Sequence, residues 1–272
     1  MYKLEDKKII FDNGELFKHL PSLGWGSQGD VYKFRIGNEV FALKVFNKFE
    51  HPILSDYEKQ LDINIDSYIS PLRLMYVNDN FKGYIMKLCK GRDLEKRRLN
   101  IGVGEFAEST VKLMEDTDKL SKINYSIFDS FISNVMYDEG FKMIDMDNYP
   151  YEPNKTYDEL ITINNRRLNQ MLSEIFIKNA NLGNFYFSNV EFRKLMKKCE
   201  DGEILFEEIF NDLCTKAYNI ADNELESISE VGKVLTKTKK IWYNFRIMWY
   251  NTNGFLNLHI YGFICLVPIG DI

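Results

Sequence analysis

The chain has 272 residues, 45% of them apolar and 28% charged, with a formal net charge of −5 at pH 7. That length allows one large domain or two packed lobes, and the acidic balance argues against a dedicated nucleic-acid binder. Cys89, Cys199, Cys214 and Cys265 are scattered without a C-x-x-C pair, and with only three histidines the chain offers no zinc-ligand spacing. The first eight residues are polar and charged, unlike a signal peptide, so a reducing cytoplasm is the expected compartment.

Strand signals fill the first third. Residues 8–11 and 15–17 flank the turn Asp12-Asn13-Gly14, which reads as a hairpin. Residues 31–35 and 40–46 flank Ile36-Gly37-Asn38, and 72–77 and 81–88 flank Asn78-Asp79-Asn80. One helical segment interrupts them, with Ser55 as its expected N-cap. This pattern predicts a small antiparallel sheet with one inserted helix. Beyond Gly91 the spacing becomes helical over 103–120, then strand-like over 135–137 and 141–144. It is mostly helical again from 157 to 237, with breaks near 181–184 and at Asp201-Gly202. The expected architecture is α+β in two lobes, residues 1–90 and 91–240, with a cleft between them. The basic cluster Lys87, Lys90, Arg92, Lys96, Arg97 and Arg98 reads as a solvated face near a helix start.

Three patterns carry chemistry. Gly24, Gly26 and Gly29 form G-x-G-x-x-G ahead of an apolar strand, where backbone N–H groups can approach phosphate oxygens unhindered by a Cβ. Lys44 follows in the next strand as a fixed positive charge. Downstream, Asp129 and Asn134 have D-x-x-x-x-N spacing just before a short hairpin, and Asp145 ends that hairpin within Asp145-Met146-Asp147. Such a set suits phosphoryl transfer. One carboxylate can orient the attacking hydroxyl, while an amide oxygen and a second carboxylate hold Mg²⁺ against the phosphates.

In this order the motifs resemble those of the protein kinase-like superfamily across roughly residues 17–150. The resemblance implies a divergent bacterial Ser/Thr kinase-like domain using ATP and Mg²⁺. Gly24, Gly26 and Gly29 would cover the phosphates, with Val31 and Ala42 beside the adenine. Lys44 would contact the α and β phosphates, Met86 would guard the pocket, and Lys87 to Cys89 would form the interlobe hinge. Asp129 would be catalytic, and Asn134 and Asp145 would hold the metal. Glu58 is the expected helix partner of Lys44, with a capping box to Ser55 as its alternative role. The chain departs from the family at Ile127 and Phe128, where His-Arg is usual, at Phe131, where a cation is usual, and at Asp147, which gives D-x-D rather than Asp-Phe-Gly. D-x-D and the short segment after it are similar to aminoglycoside and choline kinases. The implied acceptor is a protein hydroxyl, with a small-molecule hydroxyl or a nucleotide-binding interaction module as alternatives.

The tail, 241–272, is aromatic and apolar, but its longest apolar run, 260–269, is too short to span a bilayer. It is expected to pack as a terminal element, with a peripheral membrane contact as the less favoured alternative.

Overall fold

Period-two alternation sets the first half of the chain. Leu43 faces one side of its strand, where Ile9, Phe11, Phe34, Met75 and Ile85 form one apolar cluster. Ala42 faces the other, in a second cluster with Tyr57, Leu74, Tyr84 and Met86. The computed structural model describes residues 2–14, 19–48, 52–96, 98–221 and 224–237. Residues 2–237, as described, belong to one unit. The architecture is α+β.

The strands are β1 (Tyr2–Leu4), β2 (Lys8–Phe11), β3 (Ser22–Trp25), β4 (Gly29–Ile36) and β5 (Glu39–Phe46), then β6 (Pro71–Val77) and β7 (Asn80–Lys87). They form one seven-stranded sheet in the order β1-β2-β6-β7-β5-β4-β3. The expected hairpins β4–β5 and β6–β7 are present and antiparallel. The sheet is nevertheless mixed, because β2 pairs parallel with β6. The chain builds β3 to β5 and a helix before returning beside β2, the long crossover that parallel pairing requires. The antiparallel partner of β2 is β1, which the polar N-terminus concealed. The second arm expected for that hairpin lies outside the described residues.

Helix α1 (Leu54–Gln60) begins one residue before Ser55, with Ile53 at the N-cap position and no side-chain cap. The expected Ser55 cap and its box with Glu58 are therefore not formed. Packing decides the helix register instead: Tyr57 sits against the rings of Phe46, Phe81 and Tyr84, at centroid distances of 5.2, 5.2 and 5.7 Å.

The second half holds α2 (Val103–Lys122), a small sheet of β8 (Arg92–Asp93), β9 (Val135–Tyr137) and β10 (Phe141–Met143), then α3 (Tyr157–Asn179). After these come α4 (Gly183–Ser188), α5 (Val190–Glu200), α6 (Phe206–Tyr218) and α7 (Ile228–Lys237). Thr156 caps α3 in a reciprocal box with Glu159, at 3.3 and 2.8 Å. Helices α3 and α5 end at the expected breaks, where Asn181 and Gly202 adopt positive φ of 58° and 81°. Phe106, Phe176, Phe206 and Phe210 pack against one another, mostly edge-to-face or tilted, in the helical core. No helix among the described residues is long and apolar enough to cross a membrane. The 241–272 tail lies outside the described residues.

Candidate active site

Strand register brings the first half of the site together. Across β5, Lys44 pairs with Val31 on β4 and Tyr84 on β7, and Ala42 pairs with Met86. Val31, Ala42 and Met86 consequently share one apolar cluster, joined by Leu88 and by Ile144 from the other half of the chain. Gly83 permits the close approach of β7 to β5, since a Cβ there would stand 2.0 Å from the Lys44 carbonyl oxygen.

Lys44 is 4% exposed, and its ammonium finds three acceptors. It donates to Asp147 Oδ2 at 2.6 Å, to Gln28 Oε1 at 3.3 Å, and to Asp145 Oδ1. Burial works against the charge of Lys44, but Asp147 and Asp145 outweigh it and hold its pKa above the ordinary lysine value. The Asp147 carboxyl is pushed upward by burial; Lys44 opposes that shift and Asp145 adds to it. Asp147 also accepts from the Tyr84 hydroxyl and, at 3.5 Å, from Tyr57.

One turn delivers both carboxylates. Beyond β10, Ile144 N–H donates to the Asn134 carbonyl at 2.9 Å, placing the two candidate metal-binding segments side by side. Asp145 then adopts left-handed φ 66° and ψ 56°, a conformation Asp tolerates better than most residues. A 3₁₀ turn follows at Met146–Asn148, with Met146 buried and its carbonyl held by Gln60 Nε2 at 3.2 Å.

Asp129 joins this cluster through amides. Asn148 Nδ2 donates to Asp129 Oδ2 at 3.3 Å, and Gln28 Nε2 donates to Asn148 Oδ1 at 2.9 Å. Asn134 Nδ2 donates to the Asp129 carbonyl at 3.1 Å. A continuous hydrogen-bonded path thus runs from the Lys44 ammonium through Gln28 and Asn148 to Asp129. Sequence reading missed Gln28 and Asn148, although each lies inside or beside a recognised motif.

Asn164 was also missed. Buried on α3, it accepts the Ile127 N–H at 2.6 Å and donates to the Tyr125 carbonyl at 2.9 Å and Ser121 Oγ at 2.8 Å. It anchors the approach to Asp129 at Ile127. Its place four residues from both Leu160 and Leu168, on the apolar side of the helical pattern, was its only local signal.

The glycines divide by role. Gly29 is required by packing, since a Cβ there would lie 2.4 Å from the Val45 carbonyl oxygen. At Gly24 a Cβ would meet no heavy atom within 4 Å, and at Gly26 only the Gly29 carbonyl at 3.6 Å. The protein's own packing therefore does not call for glycine at 24 or 26. Asn47 Nδ2 braces the loop at the Ser27 carbonyl, at 2.7 Å.

Other expected positions fall elsewhere. Glu58 is on the exposed side of α1 and is not among the Lys44 partners just described, which all come from other elements. The correction follows from the helix register, because burying Tyr57 turns the next residue outward. In the hinge segment, Lys87 is exposed, while Cys89 Sγ and the Lys90 N–H contact Asp138 Oδ2 at 3.6 and 2.8 Å. Phe131, two residues beyond Asp129, is 63% exposed.

The donor set suits Mg²⁺, which takes a few hard protein oxygens and keeps water and phosphate for the rest. Asp145, its side chain 33% exposed, and the adjacent Asn134 offer such oxygens. No protein-family model matches this chain, and no curated protein matches its sequence.

Proposed function

We propose that this protein is an ATP- and Mg²⁺-dependent phosphotransferase on a two-lobed protein kinase-like fold, passing the γ-phosphate to a hydroxyl. The observation that carries this reading is the path from Lys44 through Gln28 and Asn148 to Asp129, with Asp145 on the same ammonium. That residues about a hundred positions apart, Lys44 and the two aspartates, meet at one point supports this reading. Mg²⁺, when bound, neutralises charge on the phosphate oxygens, with Asp145 and Asn134 as its protein ligands. The missing side chains at Gly24 and Gly26 leave room for phosphates beneath the loop, whose own turn is closed by the Gly26 N–H donating to the Gly29 carbonyl at 2.9 Å. Lys44 holds the phosphates with a charge fixed from behind. The apolar walls Val31, Ala42 and Met86 suit an adenine ring. Asp129, oriented by Asn148, accepts or directs the proton of the attacking hydroxyl at its carboxylate.

A small-molecule acceptor is favoured over a protein. Residues 149–156 are tied back onto the approach to Asp129: the Ser126 N–H donates to the Pro150 carbonyl at 3.2 Å, and the Glu152 N–H to Asn124 at 2.8 Å. The helix α3 starts directly afterwards, leaving no extended segment to serve as a peptide platform. That weighs against the Ser/Thr protein-kinase expectation.

The test combines Mg²⁺-dependent ATP binding with transfer of labelled γ-phosphate to a panel of small hydroxyl compounds and peptides. Asp145→Asn should lose most of the metal-dependent binding while remaining folded. Asp129→Asn should keep binding and lose about 10²-fold to 10⁴-fold in transfer rate. Equal metal-dependent binding by wild type and Asp145→Asn removes Asp145 from the site. ATP binding with no transfer to any acceptor makes the protein a nucleotide-binding interaction module instead.

A further inference from the structure

In the structure the lysine that would grip the nucleotide is held by the second aspartate of D-x-D rather than by a helix glutamate. We propose that Asp147 is the positioning residue for Lys44. The proposal rests on the phosphotransferase reading and assigns Asp147 a role separate from metal ligation.

Both oxygens of Asp147 are committed within the protein. Oδ2 takes the Lys44 ammonium at 2.6 Å and the Tyr57 hydroxyl at 3.5 Å, and Oδ1 takes the Tyr84 hydroxyl. Its side chain is only 2% exposed, against 33% for Asp145. A carboxylate so enclosed has no open face for a hydrated cation. Asp145, on the same ammonium, keeps part of its surface toward solvent and is the one able to turn to a metal.

The surroundings explain the exchange of roles. α1 contributes a tyrosine where a carboxylate could have stood: Tyr57 points inward and Glu58 outward. Tyr84 lies directly opposite Lys44 in the β5–β7 ladder, so its hydroxyl reaches the same point as the ammonium. The 3₁₀ turn Met146–Asn148 is itself fastened to α1 by Gln60 Nε2 at the Met146 carbonyl, 3.2 Å. The helix thus acts on Lys44 indirectly, by holding the turn that carries the carboxylate. Movement of α1 would shift Asp147, and with it the lysine.

The test is a kinetic cycle on the full chain with saturating acceptor. Asp147→Asn should lower kcat about 100-fold, the cost of misplacing a reacting group by about 1 Å, with a much smaller change in KM for ATP. The double variant Lys44→Met/Asp147→Asn should be no slower than Lys44→Met alone, because the carboxylate acts only through the lysine. Glu58→Gln should match wild type. Should Asp147→Asn fail to fold by circular dichroism, Tyr84→Phe replaces it in the same cycle, with a loss of about 3–10-fold expected for one orienting hydrogen bond. Additive losses in the double variant, a near-wild-type Asp147→Asn, or a larger loss on Glu58→Gln each overturn the assignment. A wild-type protein without Mg²⁺-dependent nucleotide binding overturns both this assignment and the phosphotransferase reading. An active wild type with an indifferent Asp147 overturns this assignment alone.

Discussion

Replacing Lys44 with Met keeps the length of the side chain and removes the charge, so the consequence falls on Asp147. That carboxylate is enclosed, with Lys44 as its charged partner and two tyrosine hydroxyls as its remaining donors. Removing one member of a buried ion pair costs about 3–5 kcal/mol when the other stays charged. Asp147 has an escape, which is to take up a proton. From an unfolded-state value of about 3.9, protonating an aspartate at pH 7 costs roughly 3.1 × 1.36, or about 4 kcal/mol, and this caps the penalty. At pH 5 the same arithmetic gives only about 1.5 kcal/mol.

The sign follows from the direction of the shift. Burial already raises Asp147, and Lys44 is the main influence holding it down, so its loss raises the folded value further. A carboxyl whose folded pKa is raised contributes stability that is present below the unfolded value and disappears as pH rises toward the folded one. The Lys44→Met penalty should therefore grow with pH between 5 and 7, by at most about 1.4 kcal/mol per unit, the limit reached where wild-type Asp147 is fully charged. Urea unfolding followed by circular dichroism at pH 5, 6 and 7 measures it, with wild type subtracted at each pH. Lys44→Met/Asp147→Asn should recover most of the loss at pH 7 and flatten the slope. A penalty independent of pH, or no recovery in the double variant, would refute the account of Asp147 as an enclosed carboxylate held by this one cation.

Two other perturbations probe the support around the site. Asn164→Ala strands the Ile127 N–H and the Tyr125 carbonyl in the interior, at about 1–3 kcal/mol for each unsatisfied group; the urea midpoint should fall accordingly, and transfer rate should suffer more than ATP affinity. Asp116 on α2 is buried, yet its pKa is lowered: burial opposes the charge, but Lys119, Ser67 and Lys112 prevail. A lowered folded value means stability present above the unfolded carboxylate range and lost as pH falls through the folded value. Asp116→Asn should thus destabilise the protein above pH ~5 by about 1.5–3 kcal/mol, the worth of a hydrogen bond to a charged group, with the gap closing below the usual aspartate pKa of ~4. A gap unchanged down to pH 3 would exclude the Asp116 charge as its source.

What could be read in advance was local. The β4–β5 and β6–β7 hairpins, α2, the short β9–β10 pair and the breaks at Asn181 and Gly202 follow from alternation, turn residues and helical spacing. Each is decided within about twenty residues of chain. The parallel β2–β6 pair was not legible, because nothing in Lys8–Phe11 names a partner more than sixty positions away. The cap of α1 was misread for a related reason. Ser55-x-x-Glu58 offers a capping box worth about 1 kcal/mol, whereas burying Tyr57 among three aromatic rings is worth more and sets the register.

The same distinction separates the parts of the site that spacing could identify from the part it could not. Lys44, Asp129, Asn134 and Asp145 could be singled out because each sits in a motif whose residue types and intervals suit the proposed phosphate and metal chemistry. Which carboxylate meets Lys44 depends on where a strand, a helix and a turn converge, and no interval encodes that. In a helix Asp145 and Asp147 would point to different faces, and in an extended strand they would share a face but stand roughly 7 Å apart along it. They converge on one ammonium because the chain turns left-handed at Asp145 and closes a 3₁₀ turn immediately after. Glu58 fits the expected spacing as well as any acid in α1, but the aromatic cluster that seats the helix also rotates it away. A lysine partner is therefore better sought by asking which carboxylate the packing encloses than by asking which one stands at the customary interval.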